Sequence, residues 1–173
     1  YGFYLEKVLP LNQQNAMGRT LIALWLATGD KSYREKAEGL AGYFKNRLRY
    51  DKKNDAYDWP YWADLDRSGE GSEDISHAAI NADFVFQCYR AGIVFDKRDM
   101  KRFSNTVVRV FAAKDSLPMC VDGTGEFKID YAYQAGRWLH LGYLYPETAN
   151  AIYRHVNKTL KEKKLGIIPS FLT

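Results

Sequence analysis

The sequence of 173 residues has few cysteines, no long apolar run and little net charge. Its two cysteines, Cys88 and Cys120, are too few for a disulfide scaffold and lack the spacing of a Cys/His metal site. No apolar run approaches the ~18 residues that a membrane-spanning helix needs. The 25 basic and 21 acidic residues leave a net charge of +4, a small excess that does not indicate binding to duplex nucleic acid. We therefore expect no membrane and no nucleic-acid partner, whereas an anionic ligand would suit this charge.

Aromatic residues are abundant in this sequence, with 13 Tyr, 9 Phe and 4 Trp. Many of the Tyr and Trp residues fall in stretches that are typical of loops or helix starts, where ligands are commonly bound. The balance of 46% hydrophobic and 27% charged residues is typical of a soluble folded domain. We treat residues 1–173 as one domain.

The first part of the chain predicts two consecutive helices. A helix-favouring run extends from Asn12 to Thr28 and ends at Gly29, and Asp30 then caps a second helix. Apolar residues of the second helix recur with the spacing of one buried face. Because only a short turn separates the two helices, we expect them to pack antiparallel.

The same design occurs twice more. A third helix begins at Ser72–Asp74 and ends near Ala91, and Asp96 starts a fourth. A third pair is predicted from Asp130 to about Leu144, followed by a helix with Pro146 in its first turn. The sequence therefore predicts an all-α fold made of three antiparallel helical hairpins.

Two connections between the hairpins, Tyr50–Gly71 and Lys114–Ile129, are too long to be plain linkers. Both precede the first helix of a hairpin, so we expect them to lie at the same end and to border one groove. No strand is predicted in either connection. The first helix is apolar on more than one face, which favours contact with further hairpins or with a second copy.

Four runs of the sequence resemble the helical domain of polysaccharide lyases of the α/α-toroid class, and those acting on alginate or glucuronan most of all. The Glu-Asp-x-Ser-His-Ala element at Glu73–Ala78 is the most specific part of this resemblance. The four runs are Leu9–Lys45, Asp58–Trp62, Glu73–Asp96 and Val121–Phe127.

The resemblance implies an incomplete α/α toroid, since three hairpins form an arc that missing hairpins or a homo-oligomer would complete. It also implies β-elimination on a uronate-containing polysaccharide, an anionic polymer, and a periplasmic or secreted location. No cofactor is expected.

His77 is the first candidate catalytic residue. On a helix that starts near Ser72, its side chain shares a face with Glu73, Asp74 and Asn81. A carboxylate at this position orients an imidazole and fixes its tautomer. The alternative interpretation is a structural histidine that binds a neighbouring carboxylate.

Tyr131 and Tyr133 are the other catalytic candidates, because lyases of this class use Tyr for proton transfer. Arg137, one turn further on, is placed to pair with a uronate carboxylate. With 13 Tyr in the chain, packing is the competing interpretation for one or both of the tyrosines.

The remaining predicted substrate-binding residues are amides and aromatic rings. Asn15 lies with Gln13 and Gln14 at the start of the first helix, where amides either contact a sugar or cap the helix. Trp59, Tyr61 and Trp62 form an aromatic cluster in a predicted loop; such rings stack on sugars or close the loop over the core.

A calcium loop, a glycoside hydrolase and a non-catalytic binding module are the other assignments that the sequence raises. Asp64, Asp66, Ser68 and Gly69 match the opening of a calcium loop, but Ile75 stands where a bidentate Glu is required, so no metal site is predicted. A glycoside hydrolase would need two suitably spaced carboxylates, and no clear pair stands out. A non-catalytic helical-repeat module that binds carbohydrate is the second alternative.

Overall fold

The computed structural model describes residues 8–62, 71–114, 116–126 and 133–162. Within these ranges the chain is mostly helical, which confirms the helical class, and it contains one short β-hairpin. None of the described helices has the length and apolar character required to cross a membrane.

The first helical pair is formed by α1 (Leu11–Thr28) and α2 (Lys31–Lys45). Gly29 ends α1 with φ 73°, a left-handed conformation that glycine adopts without steric cost. Asp30 caps α2 by accepting a hydrogen bond from the Ser32 N–H at 2.8 Å. The two-residue link and the packing of α2 along α1 make the pair antiparallel, as the sequence predicted.

The helix α3 (Ile75–Arg90) packs closely against α1. A Cβ atom at Gly18 of α1 would lie 2.4 Å from the ring of Phe84, which is fully buried on α3. Only glycine permits this approach, because the Phe84 ring has no open space into which it could move.

The second helix of the next pair is α4 (Lys97–Asn105), which continues into a π-helical segment (Thr106–Phe111). The sequence predicted Asp96 as its start, and Asp96 and Asp99 form a reciprocal capping box there. The π-helical segment was not predicted. At its first residue, the Thr106 hydroxyl donates to the Tyr57 carbonyl at 2.6 Å, joining this helix to the preceding connection.

The preceding connection contains two antiparallel strands, β1 (Arg49–Asp51) and β2 (Ala56–Asp58). The prediction of a loop without strands is therefore wrong at this point. The Asp51 carboxylate accepts hydrogen bonds from the N–H groups of Lys53 and Asn54, and this Asx turn reverses the chain. The Asp and Asn residues of the turn were a readable hairpin signal, because such side chains favour tight turns.

The third pair consists of a 3-10 helix (Tyr133–Tyr143) and α5 (Pro146–Glu162). Pro146 occupies the first helical position, as predicted, where its missing N–H is not needed. Among the first helices of the three pairs, α3 packs against both α1 and the 3-10 helix.

Trp59 lies at the centre of the core and is fully buried. Its ring centroid is 5.3 Å from that of Phe103, 5.7 Å from that of Phe44 and 6.2 Å from that of Trp138. These rings come from α2, α4 and the 3-10 helix, so a residue from a connection holds three helices together.

Candidate functional site

The two long connections meet at the amino-terminal end of α3. The Glu73 N–H donates to the Trp59 carbonyl at 3.0 Å, and the Ile75 N–H donates to the Met119 carbonyl at 2.9 Å. The Leu11 N–H donates to the Tyr61 carbonyl at 3.0 Å, which brings the start of α1 to the same place. Trp59–Tyr61 of the first connection and Met119–Val121 of the second therefore lie at one end of α3, whereas the β-hairpin of the first connection packs along α4.

Asp74 and His77 form a hydrogen-bonded pair at this end. The Asp74 carboxylate caps α3 by accepting from the N–H groups of Ser76 and His77, at 2.9 and 3.0 Å. Its other oxygen lies 2.5 Å from His77 Nδ1. Because a carboxylate only accepts, Nδ1 carries the proton and Nε2 of the neutral ring keeps a lone pair. The His77 side chain is 41% exposed, so solvent and ligands reach it.

Two aromatic rings stand next to His77. The Tyr61 ring centroid is 5.4 Å from that of His77, and the Trp62 ring lies edge-on to Tyr61 at 5.2 Å. Both aromatic residues are half-buried, so each offers part of its ring to solvent. An imidazole beside such rings is an arrangement suited to a sugar, whose C–H faces pack on aromatic carbon.

Buried polar side chains form a hydrogen-bonded network beneath this surface. Glu73 is completely buried and accepts a hydrogen bond from Trp59 Nε1 at 2.7 Å. Asn81 Nδ2 donates to the same Glu73 oxygen, and Asn81 Oδ1 accepts from Asn15 Nδ2 at 2.8 Å. The network therefore ties α1, α3 and the Trp59 segment together.

Burial raises the pKa of Glu73 well above its ordinary value, and the nearby Asp74 charge pushes the pKa in the same direction. Hydrogen bonds from Trp59 and Asn81 oppose this increase but do not outweigh it. The second carboxyl oxygen of Glu73 has no partner among the described residues. The Glu73 carboxyl group therefore holds its proton to a higher pH than an exposed glutamate does.

Asn12 was not singled out as a site residue by the sequence reasoning, which considered only its three successors on α1. It is 5% exposed, and its Oδ1 atom has no hydrogen-bond partner within the described ranges. The sequence did hold a signal for Asn12, because it is a polar residue in the first turn of a helix that starts at the site.

Several predicted substrate-binding residues lie beneath the site instead of on it. Trp59, Glu73, Asn81 and Asn15 are buried to 1% exposure or less. They therefore position the surface residues, and the expectation that Trp59 forms an exposed sugar platform is corrected, because its ring fills the core. Tyr61 and Trp62 keep accessible surface.

The candidate site residues of the third helical pair are Arg137, Tyr133 and Tyr131. Arg137 is exposed on the 3-10 helix, and the neighbouring Trp138 anchors that helix to α3 by donating from Nε1 to the Ile75 carbonyl at 2.9 Å. Tyr133 begins this helix, with its side chain outside the described part. Tyr131 lies outside the described residues altogether.

No group of three or more His, Cys, Asp or Glu side chains in the described ranges is arranged to hold a metal ion. The calcium-like motif from Asp64 to Gly69 falls outside those ranges. The chemistry that the described site offers is that of one oriented, accessible imidazole, one largely buried carboxylate and two half-buried aromatic residues.

Comparison of this chain with protein-family models, with curated proteins and with solved structures finds no match.

Proposed function

We propose that this protein cleaves a uronate-containing polysaccharide of the alginate or glucuronan kind by β-elimination, with His77 in the catalytic centre. The observation that carries the proposal is the Asp74–His77 pair, which presents an oriented, solvent-accessible imidazole beside Tyr61 and Trp62. The proposal also rests on the resemblance of the Glu73–Ala78 element to lyases of the α/α-toroid class.

In this reaction a base removes the proton from C5 of the uronate, and the bond from C4 to the glycosidic oxygen breaks. The leaving oxygen takes a proton, and a C4–C5 double bond remains on the new chain end. With its proton on Nδ1, His77 has a lone pair on Nε2 that can accept the C5 proton. Asp74 stabilises the imidazolium that results, as carboxylate partners of catalytic histidines do.

The other roles are assigned to predicted residues. Arg137 would pair with the uronate carboxylate, which makes the C5 proton more acidic. Tyr131 or Tyr133 would protonate the leaving oxygen. Tyr61 and Trp62 would bind the sugar faces, since their rings lie next to His77.

We further propose that the three helical pairs form an arc of an incomplete α/α toroid. The contacts of α3 with both α1 and the 3-10 helix support this arrangement, because the first helices of successive hairpins form the inner ring of such a fold. Further hairpins or a second copy of the chain would extend the arc.

A carbohydrate-binding module without catalysis is the second candidate. The aromatic pair of Tyr61 and Trp62 favours it, because this pair binds a sugar whether or not His77 transfers a proton. A hydrolase is less well supported, since the buried Glu73 cannot contact a substrate and Asp58 is engaged by Arg49 at 2.7 Å.

The test is incubation with alginate and with glucuronan while the ultraviolet absorbance of the C4–C5 double bond is recorded. We expect the wild-type chain to generate this absorbance and His77→Ala to lose at least about 100-fold in rate, with unchanged helical circular dichroism. Ser76→Ala, one position earlier on α3, is the matched control and should remain active. Binding without absorbance in the wild type would support the module; full activity of His77→Ala would refute the catalytic role.

A further inference from the structure

The exposed face of α1 carries no charge. Arg19 is the one charged residue of this 18-residue helix, and its guanidinium donates to Asp83 on α3 at 2.7 Å. The exposed positions of α2, by contrast, include Lys31, Glu35 and Lys36. Because the solvent face of a surface helix is normally charged or polar, the exposed face of α1 has the composition of an interface.

Five exposed residues of α1 recur at the spacing of a coiled-coil seam. They are separated by alternating steps of four and three residues, which places all of them on one side of the helix. The five are Gln13, Met17, Thr20, Leu24 and Ala27. The opposite side of α1 holds the buried residues Leu11, Asn15 and Ile22, so the seam points away from the core.

Large and small side chains alternate along this seam. In heptad notation Met17 and Leu24 occupy the a positions, and Thr20 and Ala27 occupy the d positions. In an antiparallel pair of helices an a residue lies opposite a d residue, so Met17 would face Ala27 of a second copy and Leu24 would face Thr20. Each layer then combines one large and one small side chain, which fills the space between the helices. A parallel pair would place large against large and small against small.

The four facing residues leave no polar group without a partner. The Thr20 hydroxyl is directed to the Ala16 carbonyl of its own helix at 3.4 Å, so it keeps this partner when a second helix covers it. Ala16 and Ala23, which flank the seam, are uncharged, so two copies meet without repulsion. Met17 and Leu24 are 58% and 38% exposed, and the contact would remove their apolar surface from water.

We propose that two copies of this chain pair through α1, with the two helices antiparallel about a two-fold axis. A second copy is the partner that the pattern fits, because the uncharged seam is complementary to itself in this orientation. A face that pairs with itself about a two-fold axis closes after two copies, so the expected assembly is a dimer. This contact does not depend on the proposed cleavage of polysaccharide.

The test is sedimentation of the full chain over a series of concentrations. We expect a monomer–dimer equilibrium with a Kd of about 100 µM, since one helix from each copy forms a small interface. Leu24→Lys should weaken dimerisation at least about 10-fold, because it places a charge within the seam. Leu26→Lys is the matched control: Leu26 is 67% exposed on the same helix but lies outside the seam, so the Kd should not change. Both variants should keep the helical circular dichroism of the wild type.

Disulfide formation tests the orientation of the two helices. Met17→Cys chains mixed with Ala27→Cys chains should form mixed disulfides under mild oxidation, because the two positions face each other. Met17→Cys chains alone should form few, since the two copies of this position lie about 15 Å apart along the helix axis. The native Cys88 and Cys120 are both buried and should not react.

The proposal is overturned if the chain stays monomeric up to about 1 mM, or if Leu24→Lys dimerises as tightly as the wild type. Disulfides that join Met17→Cys to itself but not to Ala27→Cys would show a parallel contact and would overturn it too. Assemblies larger than a dimer would also contradict it, because they require α1 to bind a different surface.

Discussion

Two carboxyl groups, Asp99 and Glu73, are almost completely buried in this protein, but the hydrogen-bond donors that they receive differ in charge. Asp99 receives Lys45 Nζ at 2.7 Å, the Tyr57 hydroxyl at 2.8 Å and the Asp96 N–H at 3.0 Å. Glu73 receives only neutral side-chain donors, from Trp59 and Asn81, and one of its oxygens has no partner in the described ranges.

The pKa values of the two groups therefore move in opposite directions. Burial alone would raise the pKa of Asp99, but hydrogen bonds from Lys45, from the Asp96 backbone and from Tyr57 outweigh it and lower the pKa. At Glu73 burial prevails and raises the pKa. A cationic partner is what separates an ionised buried carboxylate from a neutral buried carboxyl group.

The two carboxyl groups also differ in the parts of the fold that they contact. Asp99 on α4 joins the β-hairpin, through Tyr57, to α2, through Lys45, so its charge fixes three elements together. Glu73 lies directly below the Asp74–His77 pair. Because burial raises the pKa of Glu73, its carboxyl group stays protonated to a higher pH than an exposed glutamate, and Asp74 is the carboxylate that contacts His77.

The largest effect is expected from removing the indole that supports Glu73. Trp59→Ala leaves a large cavity and takes away a donor, so we expect a loss of about 3–5 kcal/mol in the free energy of unfolding, measured by urea denaturation. Trp62→Ala, three residues later, should cost less than about 1 kcal/mol while weakening polysaccharide binding. Equal destabilisation by the two variants would contradict the placement of Trp59 in the core.

A smaller loss is expected at Asp99. Asp99→Asn turns an amide towards Lys45 and should lower the free energy of unfolding by about 2 kcal/mol at neutral pH, less than for a fully buried pair because Lys45 can turn towards water. Since the folded-state pKa is lowered, this stabilisation is present above the ordinary value of 3.8 and is lost as the pH falls through the folded pKa.

The control for Asp99 is Glu38→Gln, which breaks the exposed ion pair with Arg34 and should cost less than about 0.5 kcal/mol. Urea denaturation over a range of acidic to neutral pH distinguishes the two variants. A penalty for Asp99→Asn that does not shrink in acid would show that its charge is not what stabilises the fold.

At Glu73 the stability depends on pH in the opposite direction to that at Asp99. The folded-state pKa is raised, so the stabilisation from Glu73 is fully present below the ordinary value of 4.5 and is lost as the pH rises through the folded pKa. Glu73→Gln mimics the neutral form and should match the wild type in acid, but exceed its stability by about 1 kcal/mol at alkaline pH.

The matched substitution is Glu35→Gln on the exposed surface of α2, which should not reproduce this pH-dependent gain. Thermal unfolding from acidic to alkaline pH provides the measurement. If the stability of Glu73→Gln relative to the wild type does not rise with pH, the folded-state pKa of Glu73 is not raised and the contrast with Asp99 fails.

Local signals made much of the helical framework predictable. Asp30 and Asp96 each start a helix as predicted, and Gly29 ends one, because these residue types satisfy the backbone groups at helix ends. The third helix begins at Ile75 with Asp74 as its cap, later than the start near Ser72 that the sequence predicted. The sequence also predicted a contact between Asp74 and His77, on the assumption that both lie on one helix face. The contact is present, but Asp74 makes it from the extended N-cap position before α3.

The burial of individual side chains depends on contacts with residues distant in sequence, which the sequence alone did not reveal. The DWPYW run looked like an exposed aromatic loop, yet Trp59 is buried because Phe44, Phe103 and Trp138, distant in sequence, surround it. The burial of Glu73 has the same origin, since its donors come from Trp59 and Asn81. Periodicity identifies a buried face but not the neighbours that fill it.

The smallest change in stability is expected for Asp74→Asn. Asn is as good a helix cap as Asp, and its side-chain oxygen can still accept from the Ser76 and His77 N–H groups, so the free energy of unfolding should change by less than about 0.5 kcal/mol. In the mechanism proposed above, the variant loses the charge that would stabilise the imidazolium of His77. We therefore expect about a 10-fold or greater fall in the rate of polyuronate cleavage with little change in KM. Asp74→Ala removes both functions and should lose about 1 kcal/mol in addition. Rates from double-bond absorbance and urea midpoints separate the two roles; an Asp74→Asn variant as active as the wild type would leave Asp74 as a helix cap alone.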